Sequence, residues 1–208
     1  MLDRFKNFWQ GVMLAPIVNL LIRLGVSPDA VTLVGTIGVC AGALVFFPQG
    51  MLLTGVLVIT LFVFSDMIDG AMARKSGRVS VFGNFFDSTL DRFGDAAIFG
   101  GLALYFANSG DSKVHLGVAL YCLVMGSVTS YARAKAESLG MDAKGGLAER
   151  ADRLVAVLVL TGVGAIFGTD LLCKVVLWVL AFASTYTVVF RILKVRRQAL
   201  VIDADNAV

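Results

Sequence analysis

Four aspartates set the chemical question. Asp66 and Asp69 stand three residues apart and Asp87 and Asp91 four apart, all within "SDMIDGAMARKSGRVSVFGNFFDSTLDRFGD" at residues 65–95. Either spacing puts both carboxylates of a pair on one helical face. The intervening "KSGRVS" has turn composition, so two helices can return antiparallel and bring the acids together. Four neighbouring carboxylates in a medium of reduced dielectric repel one another unless cations or protons neutralise them. Donors made only of oxygen suit hard divalent ions, Mg²⁺ first and Mn²⁺ as a chemically similar substitute. Small residues at Gly70, Ala73 and Gly83 leave room for a ligand, and Arg74 is placed to meet phosphate oxygens. The competing account is a polar loop whose acids cap helices and pair with nearby cations. Asp95, one turn beyond Asp91 and close to Arg92, suits that account. For the other four it is weaker, because carboxylates at membrane depth are costly and usually functional.

The elements that must position these acids are membrane helices. The 208 residues are 58% hydrophobic, with a mean hydropathy of +0.83, more than a water-soluble domain of this size needs. No charge occurs from Val31 to Ser65, and Pro48-Gln49-Gly50 divides that run into two spans joined by a tight turn. Apolar stretches follow around 96–110, 114–132, 154–169 and 175–190. They are continuous over helix-length windows and lack the period of two that a β-barrel requires. The expected fold is an all-α integral membrane protein with six transmembrane helices, preceded by an N-terminal interfacial amphipathic helix. Phe5, Phe8, Trp9, Val12 and Met13 gather near one face of that leading segment, with Arg4, Lys6 and Gln10 largely off it. It lacks the clean apolar core and cleavage site of a signal peptide. The expected divisions are a juxtamembrane segment over 1–26, a six-helix domain over 27–197 and a short polar tail over 198–208.

With six spans, every Lys and Arg except Lys113 and Lys174 falls on one side, together with the four aspartates. The positive-inside rule makes that side cytoplasmic, and the expected location is the cell membrane. Cys40, Cys122 and Cys173 lie in or beside separate spans without the spacing of a zinc site or disulfide framework. His115 falls on the opposite side and is given no catalytic role. Gly38-x-x-x-Gly42 and Gly164-x-x-x-Gly168 permit close helix packing, within or between subunits.

Asp66-x-x-Asp69-Gly70-x-x-Ala73-Arg74, followed after eight residues by Gly83-x-x-x-Asp87-x-x-x-Asp91, resembles without departure the signature of the CDP-alcohol phosphotransferase family. The resemblance implies a two-metal, Mg²⁺-dependent enzyme that moves a phosphatidyl group from CDP-diacylglycerol to an alcohol and releases CMP. It makes Asp66, Asp69, Asp87 and Asp91 metal ligands, with Asp91 also the general base. It places CDP-diacylglycerol against Gly70 and Arg74, with Ser80 as a further contact. "SPDAVT" at 27–32 resembles the family's nucleotide-side entrance to the first span and adds Asp29, Ala30, Val31 and Thr32. The family also suggests a homodimer.

The acceptor is approached through the remaining cations. Arg133, Lys135, Arg153, Arg191 and Arg196 could converge beside the acids and hold an acceptor that already carries a phosphate. The alternative is that they are positive-inside residues and headgroup anchors, most readily for Arg196 and Arg197. Lys135 and Arg153 stand nearer the mouths of apolar spans, where an unpaired cation is costly. The segments from Thr129-Ser130-Tyr131 to Glu137 and from Gly145-Gly146 to Arg153 resemble the family's bacterial phosphatidylinositol-phosphate synthase branch, which implies inositol 1-phosphate as acceptor. Glycerol 3-phosphate, used by phosphatidylglycerophosphate synthases, is the nearest competitor. A divalent-cation transporter is the alternative of another class, and spans four to six lack the carboxylates that would continue an ion path.

Overall fold

The protein is described by a computed structural model covering residues 15–77, 80–147 and 149–205; the side chains of Asp66, Met67, Ser76 and Asp205 lie outside the described residues. Helix α1 (Ala15–Arg23) buries Val18 and leaves Ile17 and Leu20 exposed. The aromatic stripe expected from Phe5 to Met13 lies outside the described residues. Helix α2 (Pro28–Ala41) starts where Ser27 accepts a hydrogen bond from the Ala30 amide at 3.2 Å and Pro28 occupies the first turn, a position that needs no amide donor. It continues into a π-helical turn, Gly42–Phe46. After the turn at Pro48–Gly50, where Gly50 has φ +80, α3 (Leu52–Val63) leads into α4 (Ser65–Ser76). Gly77 closes α4 in the left-handed conformation, φ +66, at the expected turn.

Helix α5 (Val81–Ala107) is capped by Ser80, whose Oγ accepts from the Gly83 amide at 2.8 Å. Helices α6 (Lys113–Ser138), α7 (Arg150–Ile166) and α8 (Leu171–Asp205) complete the bundle. α5 packs between α2 and α6, α8 lies against α6 and α7, and α7 returns to α3. Phe47, Ile59, Ile98, Phe99, Phe106, Val157 and Leu177 form one buried core. Around it stand exposed Leu57, Leu61, Val124, Val159 and Phe182, the inverted surface expected of a protein solvated by lipid.

Four helical stretches among the described residues are long and apolar enough to cross a membrane: Pro28–Phe46, Leu52–Lys75, Lys113–Ser138 and Leu171–Ala204. The chain is therefore an all-α membrane protein. The two other stretches expected to span form helices α5 and α7. α5 carries Asp87, Asp91, Arg92 and Asp95 in its first half, and α7 has only 17 residues. The expected polar tail begins within the last helix. α8 runs to Asp205, and its 35 residues extend about 52 Å at the usual helical rise, well beyond a hydrocarbon layer of about 30 Å.

Of the four glycines in the expected pairs, Gly38, Gly42 and Gly164 make close approaches within the chain, while an added Cβ at Gly168 would meet nothing within 4 Å. A methyl group at Gly38 would fall 2.2 Å from the Phe62 ring, and one at Gly164 would fall 2.7 Å from the Thr169 carbonyl oxygen. Among the glycines of α5 the closest approach is at Gly101, where an added Cβ would stand 2.6 Å from the Ala43 carbonyl oxygen in the π-turn. Gly101→Ala is expected to destabilise the protein by about 1–3 kcal/mol through overpacking. A thermal unfolding midpoint equal to that of the unaltered protein would contradict this.

Candidate active site

Close helix contact places the first acid. At Gly35 an added Cβ would lie 1.8 Å from Ser65 Oγ, so α2 and α4 approach more closely there than any side chain on α2 would allow. One turn away, Thr32 Oγ1 donates to Asp69 Oδ2 at 2.5 Å. Thr32 and Asp69 are both buried, 6% and 7% exposed. The hydroxyl fixes which way the carboxylate points.

This contact forms one wall of a cavity of about 440 Å³ lined by α2, α4, α5 and α7. Asp69, Asp87 and Asp91 all face it, with Gly70 and Arg74 on α4, Asp29 and Thr32 on α2, and Ser80 and Gly83 at the start of α5. Ala30 and Val31, expected beside Asp29, are not among its described lining residues; they lie on other sides of α2's first turn. The side chain of Asp66 lies outside the described residues. Pro28, Asn84 and Arg150 line the cavity without having been expected there. Helical phase could have found Asn84, since residues 84, 87 and 91 share one face of α5.

Three helices, α2, α5 and α7, begin at this cavity. Their unsatisfied amides and dipoles make its mouth favourable to anions, and Arg74 and Arg150 add guanidinium charge. Opposing them is a wall of carboxylates. Arg150 Nη2 stands 2.8 Å from Asp91 Oδ1, and its Nε lies 3.0 Å from Asp95 Oδ1. Arg92 meets Asp95 at 3.5 Å and also bonds Ser130 on α6. Asp95 thus belongs to an ion-pair network and is absent from the described lining of the cavity, as the capping-and-pairing account anticipated.

Among the described residues no three His, Cys, Asp or Glu side chains already stand grouped as a metal cage. The donor chemistry nonetheless fits a hard divalent cation. Three carboxylates face one cavity with no cysteine or histidine among them, and Asp91 already has a cation, the Arg150 guanidinium, at contact distance.

The five cations expected around the acceptor do not converge on this cavity; none is among its described lining residues. Arg153 comes nearest. It is 1% exposed and its Nη2 lies 3.8 Å from Asp95 Oδ2. Arg191 is also buried, but donates to the Thr129 carbonyl at 2.7 Å and to the Gly145 carbonyl at 3.2 Å. It ties α6, α8 and the α6–α7 loop together. Arg133 pairs with Glu137 along α6 at 2.9 Å, while Lys135 and Arg196 are exposed.

That loop delivers Arg150. Lys194 on α8 bonds Asp142 Oδ2 at 2.7 Å and the Lys144 carbonyl at 2.9 Å, and Gln198 bonds the Asp142 carbonyl at 2.7 Å. The Lys194 ammonium and the Lys144 amide hold the Asp142 carboxyl below the usual carboxylate range. Gly146, at φ +124, presses so closely on Thr187 that an added Cβ would stand 2.4 Å from its methyl.

The CDP-alcohol phosphatidyltransferase family pattern matches residues 25–189, most of the chain and all of this cavity. The chain belongs to this family. It is 48% identical over 213 aligned positions to a phosphatidylinositol phosphate synthase of Streptomyces avermitilis, covering 100% of this chain and 87% of that one. It is 51% identical to one from Cutibacterium acnes, covering 95% and 98%. Among solved structures, it resembles the Mycobacterium tuberculosis phosphatidylinositol phosphate synthase with CDP-DAG bound: TM-score 0.84, 41% identity, 88% of this chain and 92% of that one. The same mycobacterial protein in complex with manganese and citrate matches at TM-score 0.82 and 41% identity, covering 88% of each chain. As a CDP-alcohol phosphatidyltransferase the chain is an enzyme of phospholipid synthesis that uses a divalent cation, and the transporter alternative falls.

Proposed function

We propose that this phosphatidyltransferase moves the phosphatidyl group of CDP-diacylglycerol to inositol 1-phosphate, giving phosphatidylinositol phosphate and CMP. The observation that carries the reading is one cavity in which carboxylates, guanidiniums and three helix N-termini meet at the end of apolar helices. A lipid diphosphate can lie there with its tails in the bilayer and its phosphates near water. The relatives' shared name supports the choice of acceptor.

In this reading all six long helices of the bundle span the cell membrane, the N-terminal segment lies on its surface, and the cavity opens to the cytoplasm. Arg74, Gly70, Ser80, Asp29 and Thr32 hold the nucleotide diphosphate. Two Mg²⁺ ions held by Asp66, Asp69, Asp87 and Asp91, for which Mn²⁺ can substitute, would neutralise the diphosphate and polarise its lipid-side phosphorus. Asp91 accepts the proton of the acceptor hydroxyl as that oxygen bonds to this phosphorus, and the phosphorus–oxygen bond to CMP breaks. Arg153 and Arg191, with Arg133, Lys135 and Arg196 farther out, draw in the acceptor phosphate. The active form is a homodimer.

Purified enzyme given CDP-diacylglycerol and Mg²⁺ is expected to release CMP at least about tenfold faster with inositol 1-phosphate than with glycerol 3-phosphate or free inositol, the discrimination expected when buried cations must meet their anion. A preference for glycerol 3-phosphate would overturn the acceptor assignment and leave the family intact.

A further inference from the structure

We propose that Arg150 is a resident counter-cation: it holds the Asp91 carboxylate when no divalent ion is bound and competes with that ion for it. The inference rests on reading Asp91 as a metal-contacting carboxylate. Arg150 sits in the first turn of α7, capped where the Asp152 carboxylate accepts from the Glu149 amide at 3.2 Å. The loop before it is strapped to α8 by Lys194, Gln198 and Thr187. Its backbone is therefore fixed, and only the side chain is at liberty to move.

That side chain divides its donors unequally between two acids. Nε and Nη2 reach Asp95 and Asp91 respectively, at 3.0 and 2.8 Å. Asp95 also has the guanidiniums of Arg92 at 3.5 Å and Arg153 at 3.8 Å. Asp91 meets Arg92 at 3.9 Å. If Nη2 let go, Asp95 would keep the guanidiniums of Arg92 and Arg153, and an entering cation could take the place of Nη2 on Asp91. Behind Arg150 lies a small cavity bounded by Thr36, Val39, Leu90 and Gly94, so the guanidinium stands as a partition between that space and the catalytic cavity. The arrangement is a pivot: Nε stays on Asp95 while Nη2 exchanges Asp91 for an entering cation. It solves the problem that like-charged carboxylates pose before the metal arrives.

The test is Mn²⁺ binding without substrate, measured by calorimetry on the purified full-length protein, alongside thermal unfolding in chelator and in saturating Mn²⁺. Arg150→Gln removes the competitor and is expected to bind Mn²⁺ about tenfold more tightly, the equivalent of one charge-assisted contact. Its unfolding midpoint should fall in chelator and recover with Mn²⁺, widening the gap between the two conditions relative to the unaltered protein. Arg150→Lys keeps the charge and loses the fork; it is expected to fall between the two, and it decides the matter if the glutamine variant does not survive purification. Unchanged or weaker Mn²⁺ affinity, with equal loss of stability in both conditions, would mean that Arg150 only packs, and would overturn the inference alone. An unaltered protein that binds no Mn²⁺ would overturn the metal site with it.

Discussion

Asp91→Asn is expected to lower turnover by about 10³-fold, within the range for loss of a positioned general base, while the Michaelis constants for both substrates change far less. The substitution keeps the size of the side chain and its place on α5. It removes the negative charge that Arg150 contacts at 2.8 Å and, with it, the lone pair proposed to take the acceptor proton. Loss of a metal ligand alone would weaken Mn²⁺ binding, and saturating Mn²⁺ would then restore activity. Loss of a base leaves turnover low at every metal concentration. CMP release measured across a Mn²⁺ titration separates the two. A variant that retains full turnover would remove Asp91 from the chemistry without disturbing the family assignment.

The acids were legible because a helix converts spacing into direction. Asp69 lies on α4, which ends at Gly77, and Asp87 and Asp91 lie together on α5, so helical phase fixes their facing. The cations were not legible for the same reason in reverse. Arg150 and Arg153 follow a loop in which Gly140, Gly145 and Gly146 take positive φ, and the phase with which α7 emerges depends on contacts made to α8 some fifty positions later in the chain. A segment such as "GGLAERADR" shows that arginines gather there without showing which enters the cavity. The π-turn at Gly42–Phe46 was equally hidden, since one extra residue in a helical turn leaves no mark in an uninterrupted apolar run. At the other end the helix of α8 continues past Arg196 and Arg197 to Asp205, because a helix leaving the bilayer needs polar residues and no break.

The second large effect is expected at Arg153. Around Asp91 and Asp95 stand the guanidiniums of Arg92, Arg150 and Arg153, at 2.8–3.9 Å from one or the other acid. An entering phosphate monoester would meet this group of guanidiniums at close range. Arg153 is the most buried of the three, with a side-chain exposure of 2%, and a Cβ added at Gly126 would stand 3.5 Å from its Nη2. A charge held that far from water interacts more strongly with an anion than an exposed one can. Arg153→Gln keeps most of the volume and a donor group but removes the charge. It is expected to raise the Michaelis constant for inositol 1-phosphate by about 10²-fold, the scale of a desolvated charge pair, while that for CDP-diacylglycerol stays within about threefold, because Arg153 is outside the described lining of the donor cavity. If both constants rise together, or turnover alone falls, Arg153 supports Asp95 and the helix packing instead, and the acceptor phosphate must be bound elsewhere. Measuring the two constants in the same preparation, with the unfolding midpoint recorded beside them, separates weakened acceptor binding from a protein that is simply less stable.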